Sequence, residues 1–347
     1  MPDTRWSESF WGNQTVVAAL DRMVAHERIP QSMLFAGPDG VGKATLARRF
    51  AAHLLSDPER IEQDDLSLPH NVALLQAREK LPADKRNDDP LQLSSHADFT
   101  TFPPDGPMAQ ISIQQIRLLK QRAPFAPSHG RRKVFLVDQI ERANVQAANS
   151  LLKILEEPPP HLIVILTAAN AYDLLPTVRS RAVPFFFTPL AEEEMQAFAK
   201  ARGLDHIERR VALAAGSPGT ALSLDLEVYD RRRAAMLALL QAASGATPFH
   251  AWMKYSEAIA RSKSEKLEFY VRMLYGLLRD LLVLHEGGDA IRNRDIRGAL
   301  APLAQRVRFE WLRAASRKVD ELNELARRNI QKTIALDALL LELRSRP

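Results

Sequence analysis

Gly37-Pro38-Asp39-Gly40-Val41-Gly42-Lys43-Ala44-Thr45 follows the apolar run Met33-Leu34-Phe35-Ala36 and precedes Leu46, Phe50 and Leu54, spaced four apart. The apolar run reads as a buried strand, and the spacing after it reads as one face of a helix. Strand, glycine loop and helix form the setting of a phosphate cradle. Gly37, Gly40 and Gly42 let backbone N–H groups turn into one concavity, and the helix N-terminus adds partial positive charge. Lys43 supplies a full charge toward the β and γ phosphates. One position departs from the pattern. A hydroxyl that ligates Mg²⁺ belongs directly after the lysine, and the chain has Ala44 there. Thr45 comes one residue late, which on a helix turns its hydroxyl about 100° away.

Working outward, the same alternation continues. Asp98–Phe102 reads as a short strand, and Ser112 with Gln115 as a capping box that opens a helix. Lys133–Val137 is an apolar run ending in Asp138, and a helix from Asn144 stops at Pro158-Pro159-Pro160. Two further runs, Leu162–Thr167 and Val183–Phe187, complete the β signals. Continuous apolar runs alternating with helices predict an α/β domain, with a parallel sheet covered on both faces. Val134–Val137 is expected beside Met33–Ala36. Residues 56–95, rich in charge and proline, read as an insertion with one helix within Leu66–Leu81 and loop elsewhere.

Beyond Pro189 the β signals cease. Short helices follow, and from Tyr229 the text is helical, with breaks expected near Gly245, Gly287-Gly288 and Pro302. Three parts are expected: a P-loop domain over 1–187, a small helical domain over 188–226, and an all-α domain over 227–347. The last helix carries Ile334, Leu336, Leu339, Leu340 and Leu343, a face that suits either a bundle core or assembly with other subunits.

Lys and Arg number 47 against 42 Asp and Glu, a net charge of +5, which permits contact with nucleic acid without indicating it. There is no cysteine, so disulfides and thiolate metal sites are excluded. His70 and His96 stand alone, and no zinc or other metal site is expected. The start of the chain has no apolar leader, and no stretch reaches ~18 apolar residues. A cytoplasmic protein without membrane contact is the expectation. Arg131-Arg132-Lys133, Arg231-Arg232-Arg233 and Arg327-Arg328 are short and scattered, and read as solvated faces or helix ends.

In P-loop ATPases an acid at the end of a neighbouring strand holds the metal's water shell, and a glutamate next to it polarises the attacking water. Asp138 fills the first role. Gln139 stands at the second, where an amide cannot accept the proton, and Glu141 lies outside the strand end.

Gly37–Thr45, Val134–Glu141, Asn149-Ser150-Leu151-Leu152-Lys153-Ile154-Leu155-Glu156-Glu157-Pro158-Pro159 and Leu174-Leu175-Pro176-Thr177-Val178-Arg179-Ser180-Arg181 together resemble the clamp-loader subunits of bacterial DNA polymerase III, which are AAA+ proteins. The resemblance spans nearly the whole chain outside 56–95, weakly toward the C-terminus. It implies an AAA+ domain, a helical lid and a helical collar. It also implies partners: the motor and clamp-opening subunits, the sliding clamp within the assembly, and primer-template DNA through the assembled complex.

The motor members of that family keep Ser or Thr after the lysine, Glu after the Asp, four zinc-binding cysteines and a lid arginine. Here stand Ala44, Gln139, no cysteine, and Thr220 near the arginine position; Ala182 replaces a customary cysteine. These losses imply a stationary member of the complex, with ATP or ADP bound weakly or not at all. Arg181 of the Ser-Arg element then implies an arginine finger acting in trans on a neighbour's ATP. Two other readings stay open: an active motor using Thr45 or a water, and a DNA-binding adaptor on a relic nucleotide fold.

Overall fold

The computed structural model describes residues 6–262, 265–326 and 330–344. The chain divides into two compact units. One runs to Arg202 and takes in Gly216–Thr220; the other comprises Gly203–Ala215 and the chain from Ala221 onward.

The first unit is built on six strands: β1 Ser32–Ala36, β2 Leu93–His96, β3 Phe99–Phe102, β4 Lys133–Val137, β5 Leu162–Ala168 and β6 Val183–Phe186. Their order is β2-β3-β4-β5-β1-β6, parallel throughout except that β2 joins β3 antiparallel. Every residue of β1, β4 and β5 is buried, as two covered faces require. Helices α1 (Gln14–Ala25), α2 (Lys43–Leu55), α3 (Pro58–Ile61), α4 (Pro69–Lys80), α5 (Ala83–Asp88), α6 (Ile113–Arg122), α7 (Val145–Glu156), α8 (Pro176–Arg179) and α9 (Glu192–Ala201) complete this unit. Two apolar clusters form, one on each face. One joins Leu34, Phe135 and Val164 to α6 and α7, and the other joins Phe35, Leu136 and Ile165 to α1 and α2. The capping box at Ser112 and Gln115 is present.

Two expectations are corrected. Val134–Val137 does not lie beside Met33–Ala36, because β5 pairs with both and separates them. Burial is written in an apolar run, but neighbours are not, and the seven-residue β5 takes the place between the two shorter strands. Residues 56–95 are also not mainly loop. They hold α3, a 3-10 turn over Glu62–Asp64, α4, α5 and β2. Charge holds this segment where apolar periodicity does not. The buried Arg48 of α2 pairs with Glu62 and Asp65, and the buried Arg78 meets Asp105 at 2.6 Å.

Both edges of the sheet are blunted. Strand β2 is four residues long with an irregular register. At the other edge Phe187 N–H donates to Ala36. Strand alternation therefore turns positions 184 and 186 outward, and position 184 is proline.

The second unit contains α10 (Ile207–Ala214), α12 (Leu226–Ala243), α13 (His250–Arg261), α14 (Leu267–His285), α15 (Arg297–Arg306), α16 (Phe309–Ala326) and α17 (Lys332–Arg344); α11 (Pro218–Ser223) straddles the two units. No strand follows Phe186 among the described residues. Pro302 lies inside α15 and does not break it. The carbonyl it would crowd belongs to Gly298, and Leu300 and Leu303 hold the helix in the core. Of the apolar face of α17, Leu336, Leu339, Leu340 and Leu343 are buried in this unit's own core, while Ile334 is 63% exposed. Those four leucines complete a core and are not a surface for assembly.

Candidate functional site

The phosphate loop leaves β1 at Gly37 and enters α2 at Lys43, with Gly40 and Gly42 in the left-handed region at φ 74° and 99°. A Cβ on Gly40 would come within 2.4 Å of Ser217 Oγ, so this close approach admits only glycine. Lys43 is buried, and its Nζ donates to Gly37 O at 2.5 Å and Pro38 O at 2.8 Å. Ser217 Oγ donates to Asp39 O at 2.5 Å, and Gly219 N–H donates to Gly40 O at 2.8 Å. Four successive loop carbonyls, 37 to 40, are thus satisfied from within the same unit. Burial lowers the Lys43 pKa, against the pull of Asp39, Asp138 and Glu141. Ala44 presents a methyl group where the metal hydroxyl belongs, and Thr45 is half-buried one position on. Thr220 Oγ1 donates to Ser217 Oγ at 3.0 Å.

The acid at the end of β4 is held by its neighbours. Asp138 Oδ1 accepts from Thr167 Oγ1 at 2.5 Å, and Thr167 Oγ1 in turn accepts from Gln139 N–H at 2.8 Å. Gln139 adopts φ 56°, a left-handed conformation uncommon outside glycine and asparagine. Glu141, set aside on sequence grounds, proves to belong to this cluster. Its Oε1 accepts from Ala169 N–H at 3.0 Å, while Oε2 is buried without a hydrogen-bond partner. Burial raises its pKa, Asp39 adds to the rise and Lys43 opposes it. The ends of β4 and β5 are therefore stapled together beside the loop. Glu141 was named in the sequence only to be set aside, and Thr167 and Ser217 were not singled out there. Only Thr167 left a trace there, as a hydroxyl at the end of an otherwise apolar run.

Arg181 follows α8 and shares no hydrogen bond or ion pair with the loop among the described residues. Its Nε donates to Glu156 Oε1 at 2.7 Å, and Nη2 lies 2.6 Å from the same oxygen. Nη1 donates to Thr177 O at 2.9 Å and Ser180 Oγ at 3.2 Å. The Arg179 guanidinium sits over the Tyr172 ring, 5.0 Å from its centre.

A family model described as "DNA polymerase III, delta subunit" matches residues 12–191, more than half of the chain; the phosphate loop, Asp138, Glu141, Thr167 and Arg181 fall inside it, and Ser217, Gly219 and Thr220 lie beyond it. The chain belongs to the DNA polymerase III delta-subunit family. Its likeness to individual members runs further than that model. The DNA polymerase III subunit delta' of Pseudomonas aeruginosa is 26% identical over 358 residues, covering 99% of this chain and 97% of the relative. The Escherichia coli subunit delta' is 28% identical, covering 73% of this chain and 75% of its own length. DNA polymerase III subunit gamma/tau of Mycobacterium tuberculosis is 31% identical, but over only 54% of this chain and 29% of that protein.

Other sequence features fall away from the site of this delta-family chain. Among the described residues no group of three His, Asp or Glu side chains could hold a metal ion. His96 Nδ1 accepts from Asp98 N–H at 3.0 Å, and His70 Nε2 lies 3.3 Å from Gln63 O. Two basic residues expected on solvated faces are buried and paired instead: Lys133 donates to Phe125 O and Arg233 pairs with Asp295 at 2.6 Å, while the partly exposed Arg232 pairs with Glu265 at 2.8 Å. Arg327 and Arg328 lie outside the described residues. No helix among those described is long and apolar enough to cross a membrane.

Proposed function

We propose that this chain serves as a non-motor, delta-prime-type subunit of a bacterial clamp loader. In this reading it joins motor and clamp-opening subunits in the cytoplasm and supports ATP-dependent loading of the sliding clamp onto primed DNA. It meets the clamp and primer-template DNA within the assembled complex. The expected division into an AAA+ domain, a lid and a collar is part of the same proposal.

The observation that carries the non-motor reading is the loop itself. Lys43, the charge that would meet the β and γ phosphates, is spent on the carbonyls of Gly37 and Pro38, and Ser217 and Gly219 take those of Asp39 and Gly40. Metal binding and water activation each need a group that the chain lacks at Ala44 and Gln139. ATP or ADP would have to draw Lys43 away from the carbonyls of Gly37 and Pro38, so weak binding without turnover follows. The chain's contribution to hydrolysis is then Arg181, offered to a neighbour's ATP.

Two measurements test this. Nucleotide titration of the isolated chain, with and without magnesium, should give weak or no binding and no turnover. Steady hydrolysis by the pure chain, abolished by Lys43→Ala, would overturn the assignment. In the reconstituted complex Arg181→Ala should slow single-turnover hydrolysis at one site, by up to about 10³–10⁵ if the finger acts at full strength. Arg181→Lys should rescue little, because an ammonium lacks the two-pronged edge. Arg179→Ala is the neighbouring control.

A further inference from the structure

Glu156 is the last residue of α7, and Glu157 and three prolines follow it. A helix C-terminus carries partial negative charge, so an acid there works against the helix unless a cation answers it. Arg181 is that cation. All three guanidinium nitrogens are engaged: Nε and Nη2 face Glu156 Oε1, and Nη1 is given to Thr177 and Ser180. The Nε–Nη2 edge is one of the forked edges with which an arginine grips two oxygens of a phosphate. In this arrangement that edge is turned to a carboxylate of the same chain. The two side chains are 33% and 43% exposed, so the pair lies at the surface, within reach of another molecule.

We propose that Glu156 parks Arg181. It is a positioning residue that holds the forked edge until the more highly charged γ-phosphate of a neighbouring subunit takes its place. The inference rests on the reading of Arg181 given above. A surface pair of this kind biases an equilibrium by a factor of about five at most. That bias suits a contact that must be exchanged in each cycle: it holds the finger back while assembly is incomplete and yields once the phosphate is presented.

The test is single-turnover ATP hydrolysis by the reconstituted complex, with and without clamp and primed DNA. Glu156→Gln keeps the side chain's shape and removes its charge. It should raise the basal rate by roughly two- to five-fold and leave the stimulated rate little changed, so that the ratio of stimulated to basal rate falls. Glu156→Asp keeps the charge and should raise the basal rate less. In an Arg181→Ala background Glu156→Gln should have no effect, which separates parking from any general loosening of α7. An unchanged or lowered basal rate for Glu156→Gln in an intact complex overturns the inference, as does a rise that persists without Arg181. If Arg181→Ala slows hydrolysis and Glu156→Gln does nothing, parking alone is wrong. If Arg181→Ala leaves every site at the parent rate, the reading of the finger fails, and parking fails with it.

Discussion

Thr167→Val should destabilise the first unit and do little else. Valine nearly matches threonine in shape but has no hydroxyl. That hydroxyl donates to Asp138 at 2.5 Å and accepts from Gln139 N–H at 2.8 Å. Thr167 and Asp138 are 0% and 6% exposed, so water cannot easily replace what is lost. Orphaning one buried N–H costs about 1–3 kcal/mol, and a buried carboxylate deprived of a donor costs at least as much, which together gives about 2–5 kcal/mol. In a cooperative unit of about 150–250 residues each kcal/mol moves Tm by roughly 2–4 °C, so a fall of about 4–20 °C is expected. Calorimetry of the purified chain reads this directly, and Thr167→Ser should recover most of it. If Asp138 were instead a working magnesium ligand, Thr167→Val would alter the magnesium dependence of nucleotide affinity. A variant melting within about 1 °C of the parent would refute the view that Thr167 and Asp138 form a structural staple.

The buried Glu141 carboxyl keeps a proton in the folded chain that the unfolded chain releases, so its contribution to stability falls as pH rises from about 4.5 through its raised value. The Tm of Glu141→Gln should therefore gain on the parent between about pH 4 and pH 8, and a constant difference across that range would count against the buried charge. Leu340→Ala removes a fully buried side chain and should cost about 2–5 kcal/mol by thermal melt. Ile334→Asp, at an exposed position of the same helix, should leave Tm near the parent value; a comparable drop would show that the face had been assigned the wrong way round.

Strands β1, β4 and β5 were legible because strands buried on both faces are written as unbroken apolar runs, as in Val134-Phe135-Leu136-Val137, while β3 and β6 showed through the β-favouring residues of Phe99-Thr100-Thr101-Phe102 and Val183-Pro184-Phe185-Phe186. Their order was not legible, because nothing in Leu162–Ala168 says which two runs it separates. Strand β2 escaped for a related reason. Leu93-Ser94-Ser95-His96 lacks an apolar run, and its pattern is buried only at the two ends. At the site, Ala44 and Gln139 could be read as losses because they occupy positions whose chemistry is known in advance. Thr167, Glu141 and Ser217 act across 29, 28 and 178 residues of chain, and no local pattern marks a hydroxyl or carboxylate for a partner so distant.

The blunted sheet edges bear on how such a chain lives among its relatives. Clamp loading, as proposed here, sets several copies of one sheet architecture side by side, and each copy offers the next a ready template for adding a strand. Pro184 takes a donor away from the outward side of β6, and the short, irregular β2 gives the opposite rim little to zip onto. Neighbours are thereby steered toward contacts made by side chains, which can be formed and released with each round of work. A shared sheet, once knitted, would fuse the moving parts into a fibre.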